Sequence, residues 1–469
     1  METFVLPFRT AAINFVYPLV VLTALCGGHS AGAQSLSEIA DLALQNDPNL
    51  KKAEAERSAR EEFRTQSLAR FFPSASAVGG SSLEFLHNKK AKGFTGFGNG
   101  DFRGPQVDQE YWSHTFDLNV TQPVFHWDHW VQLSQSENVI AQAEANYRAE
   151  LQNLLTKTTQ AYFDVLSARD NLEFAMAEKE AIARQLEQAK QRFEVGIAAI
   201  TDVNEAQAAF DQALTGEIEA ANQLDNQNEA LKEIVGEREL VLDLLGERLP
   251  LKKPEPADIS KWSETAELNN FEVIAAYNEA ESARKSIEIQ RSGHLPQLDI
   301  VGAYSVSDVN SSFGFRGDTQ NIGLRLNVPL FEGGAVNSKT RQAQFEFEAA
   351  KESLSAVRRS ITRQVKDAYR GVITNISRVE ALKTAVMSSE TSLEASEAGL
   401  AVGTRTMVDV LNVQRDLYKA KRDYARARYD YLINSIKLKQ LASNLTADDL
   451  DRISSLLLPG EKAVDKTRP

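Results

Sequence analysis

Few side chains in this sequence are spaced for chemistry. His126 and His129 stand three apart, with Asp128 between them, and two imidazoles at that spacing suit a transition metal. No ligand beyond Asp128 is evident, and Trp127 and Trp130 interleave with them, so they read as interfacial polar residues and no metal is expected. Asp202 and Asp409 follow turn sequences, where a carboxylate can start and cap a helix; Glu205, three residues after Asp202, completes a capping pattern. Arg405 lies in the second of these turns, and its plain reading is a solvated surface residue. No GxGxxG, GxSxG or P-loop is present, so nucleotide and hydrolase chemistry lack a motif. With one Cys and six His there is little for a thiol site or a metal cluster. No cofactor and no catalysis are expected. The net charge of −13 argues against a nucleic-acid partner, which would need a basic face.

The elements that position these residues are unusual. Residues 11–26 form a short apolar run, followed by Ala31-Gly32-Ala33, the pattern of a secretory signal cleaved after Ala33. That signal (1–33) carries Cys26, so the exported chain has no cysteine. A mean hydropathy of −0.34 excludes a polytopic helical membrane protein, and no later run reaches the length of a spanning helix.

The chain then repeats itself. Ala161-Tyr162 is echoed by Ala368-Tyr369, Val195-Gly196 by Val402-Gly403, Asp202-Val203 by Asp409-Val410, and Gln207 by Gln414, all at one constant interval. Phe72-Pro73 returns as Leu295-Pro296, and Gln122-Pro123-Val124-Phe125 as Val328-Pro329-Leu330-Phe331. Matches in one order imply an internal duplication. The expected division is a first repeat over 34–245, a Pro-rich linker over 246–261, a second repeat over 262–457 and a polar tail over 458–469. Residues 131–195 contain neither Gly nor Pro, and 335–400 little of either, so each half should hold one helix on the order of 95 Å long. Shorter helices over about 203–236 plus 264–292, and about 408–440 plus 38–71, would stack end to end against the two long ones.

Four segments alternate with period two: about 74–85, 113–124, 297–307 and 321–331. In the second, Trp112, His114, Phe116, Leu118 and Val120 alternate with polar residues; in the fourth, Ile322, Leu324, Leu326, Val328 and Leu330 do so. A soluble sheet with one face on a core would alternate too. Export, the pairing of the strands around Gly-rich loops (93–100 and 310–317) and their length favour tilted membrane strands. Four strands cannot close a barrel, so several copies must assemble.

These features, and above all the tip sequences VGIAAITDV (195–203) and VGTRTMVDVL (402–411) together with ARARYDYLINSI (425–436), resemble the TolC-type outer-membrane efflux family. The resemblance spans nearly the whole exported chain. It implies a mainly α fold with membrane β strands and a two-fold repeat, each half a β-hairpin plus long antiparallel helices. It implies a homotrimer whose twelve-stranded outer-membrane barrel continues into a periplasmic helical tunnel. It further implies a passive exit duct for efflux or type I secretion, with a periplasmic adaptor (membrane fusion protein), an inner-membrane transporter of RND, ABC or MFS type, and outer-membrane lipid as partners. The adaptor would dock on the tip turns, Val195-Gly196 and Val402-Gly403-Thr404.

In a symmetric trimer Asp409 becomes a ring of carboxylates at the tunnel entrance, which favours cations. The family's Arg at the position of Arg405 implies a latch to Thr201 or Asp202 on the neighbouring tip. Two positions depart from the family: its gate tyrosine falls at Leu400, which cannot hydrogen-bond, and its second acidic ring at Asn412, which is neutral. The latch should be weaker for it, with selectivity resting on Asp409. The competing reading, a soluble periplasmic coiled-coil adaptor, predicts one hairpin per chain and no lipid-ready strands; an ordinary porin predicts many more strands and no 65-residue helix.

Overall fold

The computed structural model describes residues 34–87, 108–310 and 316–458. The signal segment with Cys26, the loop 93–100, most of the loop 310–317 and the tail beyond 458 lie outside the described residues.

Two helices dominate, α3 (Trp127–Glu194) and α7 (Ala335–Ala401), of 68 and 67 residues. At 1.5 Å per residue each is about 100 Å long. Both are held by neighbours on several sides. Each reverses into a return helix, α4 (Ile200–Val235) or α8 (Met407–Leu441). The remaining helices are α1 (Leu36–Asn46), α2 (Pro48–Ala69), α5 (Ile259–Asn269), α6 (Phe271–Arg291) and α9 (Ala447–Ser454).

The expected single helix over 38–71 is broken. Asp47 adopts an extended conformation and its carboxylate accepts from the Leu50 amide at 2.8 Å, while Pro48 takes the first helical position, where its missing N–H is harmless. The expected helix over 264–292 is likewise split at Asn270. Its Oδ1 caps α6 through the amides of Glu272 (2.9 Å) and Val273 (3.3 Å), and its Nδ2 donates to the Leu441 carbonyl at 3.0 Å. The stacking differs in one place too. Helix α6 lies between α3 and α7, as their mutual packing shows, but α2 lies on α3 and not on α7. Arg57 of α2 sits 4.7 Å over the Tyr147 ring and 3.6 Å from Glu144, and Phe71 just past α2 meets Trp130 edge-on at 4.9 Å.

The main core forms midway along the long helices. Leu154, Phe163 and Leu166 of α3, Ile361 and Val372 of α7, and Tyr429 and Ile436 of α8 pack there with α1, α5 and α9. A short two-stranded ladder, β3 (Leu244–Leu245) with β6 (Leu457–Leu458), closes this waist. The Pro-rich linker is pinned to it: Tyr431 Oη accepts from the Lys252 amide at 2.8 Å and donates to the Lys252 carbonyl at 3.0 Å.

The second sheet has the antiparallel order β1 (Ser74–His87), β2 (Asp108–Phe125), β4 (Gln297–Val309), β5 (Arg316–Asn327). The fourth strand runs some five residues earlier than the alternation predicted. Asp308 pairs with Arg316 at 2.8 Å at one end; at the other, Pro329 has no N–H for the ladder, and Leu330 is left exposed in the following loop.

Register decides what the sheet can face. Ala77 pairs with Leu118, Leu118 with Tyr304, Leu83 with Trp112, Phe116 with Val306, Gln122 with Ile300, and Ile300 with Leu324. Cross-strand partners share a face, so the four separate alternations merge into one apolar face. That face is bare: Trp112, Phe116 and Leu83 are exposed, and Ile322 is 83% exposed. The opposite face carries Ser76, Thr115, Asp117, Asn119, Ser305 and Asn321, with Ser305 donating to Asp117. An apolar face backed by a polar one is the pattern of a membrane barrel wall. Among the described residues, no helix is long and apolar enough to cross a membrane.

Candidate gate at the hairpin tips

The two helical hairpins end in turns of the same construction. In the first, Val195 closes α3, Gly196 takes φ +80°, its amide donates to the Phe193 carbonyl at 2.9 Å, and the Ile197 amide donates to the Arg192 carbonyl at 2.9 Å. In the second, Gly403 takes φ +81°, its amide reaches the Leu400 carbonyl at 3.3 Å, and the Thr404 amide reaches Gly399 at 2.9 Å. Both are Schellman caps, in which a left-handed residue lets the last carbonyls of the helix be satisfied. Glycine is needed for that backbone angle, since space around each Cα is open.

The return helices start differently from expectation. Asp202 does not cap α4: the cap position is Ala199, without a side-chain bond, and Asp202 sits in the first turn with its amide on the Ala199 carbonyl at 3.1 Å. Asp409 does not stand at the cap position either. Thr406 does, and the two residues form a reciprocal capping box: Asp409 Oδ2 accepts from the Thr406 amide (2.9 Å) and hydroxyl (2.9 Å), while Thr406 Oγ1 accepts from the Asp409 amide (3.2 Å). The T-x-x-D spacing was a readable sign of this box. These bonds, foremost the Thr406 amide, and the nearby Arg405 charge hold the Asp409 carboxyl below the usual aspartate range.

Arg405 is exposed and lies back over the end of α7. Its amide donates to the Gly399 carbonyl at 3.3 Å. A Cβ at Gly399 would stand 2.7 Å from Arg405 Cγ and 3.2 Å from Thr404 Oγ1. Gly399 is therefore the seat of Arg405. Within one chain, among the described residues, no hydrogen bond or ion pair joins Arg405 to Thr201 or Asp202. Asn412 accepts from Arg415 one turn further on.

Just behind the tips a second apolar cluster holds the hairpins together. Ile182, Leu186 and Ala189 of α3 and Ala206 of α4 meet Met407 and Leu411 of α8, with Leu400 packed against them. Leu400 thus contributes apolar bulk to this cluster. Beyond the cluster Val195, Ile197 and Val402 are 66–76% exposed.

Thr406→Ala provides a test of the box. The Asp409 carboxyl should move up toward the ordinary aspartate range, because one of its donors is lost. A carboxyl held low contributes stability that is present above its unfolded pKa and lost as pH falls through the folded one. The variant's tip should accordingly protonate and loosen at a higher pH than the wild type, read by NMR titration of the Asp409 carboxylate. Coincident titration curves would mean that the hydroxyl does not matter.

A sheet with one bare apolar face, continuous with helical hairpins about 100 Å long that end in carboxylate-bearing turns, defines an envelope channel with a long helical extension. The model of the outer membrane efflux protein family matches residues 39–237 and 262–444. The chain belongs to that family. It is 36% identical to the outer membrane protein TolC of Vibrio cholerae, over 95% of this chain and 99% of that protein, and 33% identical to TolC of Escherichia coli, over 94% and 88%. It is also 29% identical to the alkaline protease secretion protein AprF of Pseudomonas aeruginosa, over 90% and 86%. Among solved structures, the outer membrane protein VceC from Vibrio cholerae shares the fold, with a TM-score of 0.72 at 18% identity over 87% of this chain and 95% of that one.

Proposed function

We propose that three copies of this chain close a twelve-stranded barrel and form the outer-membrane exit duct of a tripartite efflux or type I secretion system. The single apolar face that the register assembles from four strands carries this reading. Strands β1 and β5 have no partner on their outer sides among the described residues, and open edges are not tolerated in lipid. Other copies must therefore supply the missing neighbours. The helical hairpins extend into the periplasm, and their tips meet a periplasmic adaptor and an inner-membrane transporter of RND, ABC or MFS type. The exposed Val195, Ile197 and Val402 support docking at the tips. The duct conducts passively; the transporter drives it.

The gate of this reading is the ring of tips. Asp409 supplies the entrance carboxylates, and Arg405 reaches the Thr201–Asp202 turn of the adjoining hairpin. A soluble periplasmic adaptor has no use for a bare apolar sheet, and that alternative is set aside.

Single-channel recording of detergent-purified protein in a planar bilayer tests the proposal. Small steps whose reversal potential in a salt gradient indicates cation selectivity are expected, from a species whose mass by light scattering is three chains. A protein that stays monomeric without detergent and gives no steps overturns it.

A further inference from the structure

The corner where β2 passes into α3 gathers side chains that the duct does not use. The sequence set His126, Asp128 and His129 aside for want of another ligand, but the fold brings Asp299 of β4 beside them. The four side chains are 14–24% exposed. One ligand atom from each of His126, Asp128 and His129 lies within 4.8 Å of the others. The two imidazoles stack at 4.6 Å.

The polarity of the corner is fixed by Asp299. His126 Nε2 lies 2.9 Å from Asp299 Oδ1, and a carboxylate only accepts, so Nε2 carries the proton. The Nδ1 lone pair of His126 is then free, and it faces Asp128 Oδ1 at 4.0 Å. His129 Nε2 is 3.7 Å from Asp128 Oδ2. Both distances are too long for hydrogen bonds. They are close to the edge of a tetrahedron around zinc, about 3.4 Å for metal–ligand bonds near 2.1 Å. His129 is engaged by packing, edge-on to Phe71 at 5.8 Å, and its Nδ1 is buried without a hydrogen-bond partner among the described residues.

We propose that His126 Nδ1, His129 Nε2 and the Asp128 carboxylate form a binding site for a borderline divalent transition metal, Zn²⁺ first. Asp299 orients His126, a carboxylate–histidine–metal arrangement. Two imidazoles and a carboxylate suit neither the all-oxygen preference of Ca²⁺ and Mg²⁺ nor the thiolate preference of soft ions. The start of α3 disfavours a cation slightly, and two carboxylates outweigh it. The metal would stiffen the β2–α3 corner, where sheet passes into helix, and the His126–Asp299 hydrogen bond would tie that corner to the foot of β4.

The test uses the tag-free full chain in detergent, stripped with EDTA and desalted. Isothermal titration with ZnCl₂ should show one ion per chain, and CoCl₂ should give the visible absorption of a low-coordinate cobalt site. His129→Gln and Asp128→Asn should each weaken binding at least about tenfold, Asp299→Asn by about tenfold to a hundredfold. His114→Gln, on β2 beside Trp112 and outside the cluster, should leave it unchanged. Circular dichroism identifies any variant that fails to fold, and either of the first two suffices. Absence of uptake by the wild type, or equal uptake by wild type, His129→Gln and Asp128→Asn, overturns the proposal.

Discussion

Replacing Arg405 by Ser raises the closed-state conductance of the duct. Little holds the tips. Among the described residues Arg405 is exposed and bonded through its backbone alone, so its guanidinium is available to the adjoining hairpin of the proposed trimer. An exposed ion pair is worth about 0.2–1 kcal/mol, and the three that the proposed trimer would hold about 0.6–3 kcal/mol. Removing them shifts the closed–open balance by about threefold to about 150-fold. Nothing nearby compensates: Leu400 has no polar group, and Asn412 is taken by Arg415. Gly399→Ala should act in the same direction while keeping the charge, because the new Cβ would meet Arg405 Cγ at 2.7 Å and push it off its seat. Bilayer conductance of both variants is the measurement. An unchanged Arg405→Ser channel would remove the latch from the mechanism. An effect of Arg405→Ser without one of Gly399→Ala would remove only the seat.

The parts of this molecule differ in how far the sequence alone discloses them, and the reason is range. The long helices were legible because 131–195 contains no residue that stops a helix. The strands were legible through their alternation, but their ends were not. Hydropathy ignores the polar start of β5 and runs on to Leu330, where the ladder has already ended. The break at Asp47 was readable, as an acidic cap before a proline. That at Asn270 was not, since its side chain is fixed by the carbonyl of Leu441, far away in the chain. The same holds at the sites. Thr406 and Asp409 announce their box at local spacing, whereas the Arg405 seat depends on the turn's geometry. Asp299 meets His126 only because β2 and β4 pair. Local rules thus recover elements and caps; tertiary contacts decide which of two plausible readings a side chain takes.

Phe163→Ala is expected to give the largest loss of stability and to leave the gate alone. Phe163 is fully buried at the waist, edge-on to Tyr162 at 5.6 Å and stacked near Tyr429 at 5.7 Å. Truncating a buried Phe costs about 3–5 kcal/mol, the more so where stiff neighbours cannot collapse into the space. Both neighbours are tethered. Tyr429 Oη donates to Asp170 at 2.7 Å, and Tyr162 Oη donates to the Asp243 carbonyl at 3.0 Å. The thermal or denaturant midpoint in detergent should therefore fall clearly. Conductance of the channels that remain folded should not change, because the tip cluster is separate: Leu166 and Ile182 on α3 are about 24 Å apart at 1.5 Å per residue. Arg405→Ser should do the reverse, altering conductance with little effect on the midpoint. Sites this far apart without shared partners add, so the double variant should show both effects at full size. A conductance change from Phe163→Ala, or a double variant departing from additivity by more than about 0.5 kcal/mol, would mean that the long helices transmit strain from waist to tip. The gate would then be a property of the whole hairpin and not of its last turn.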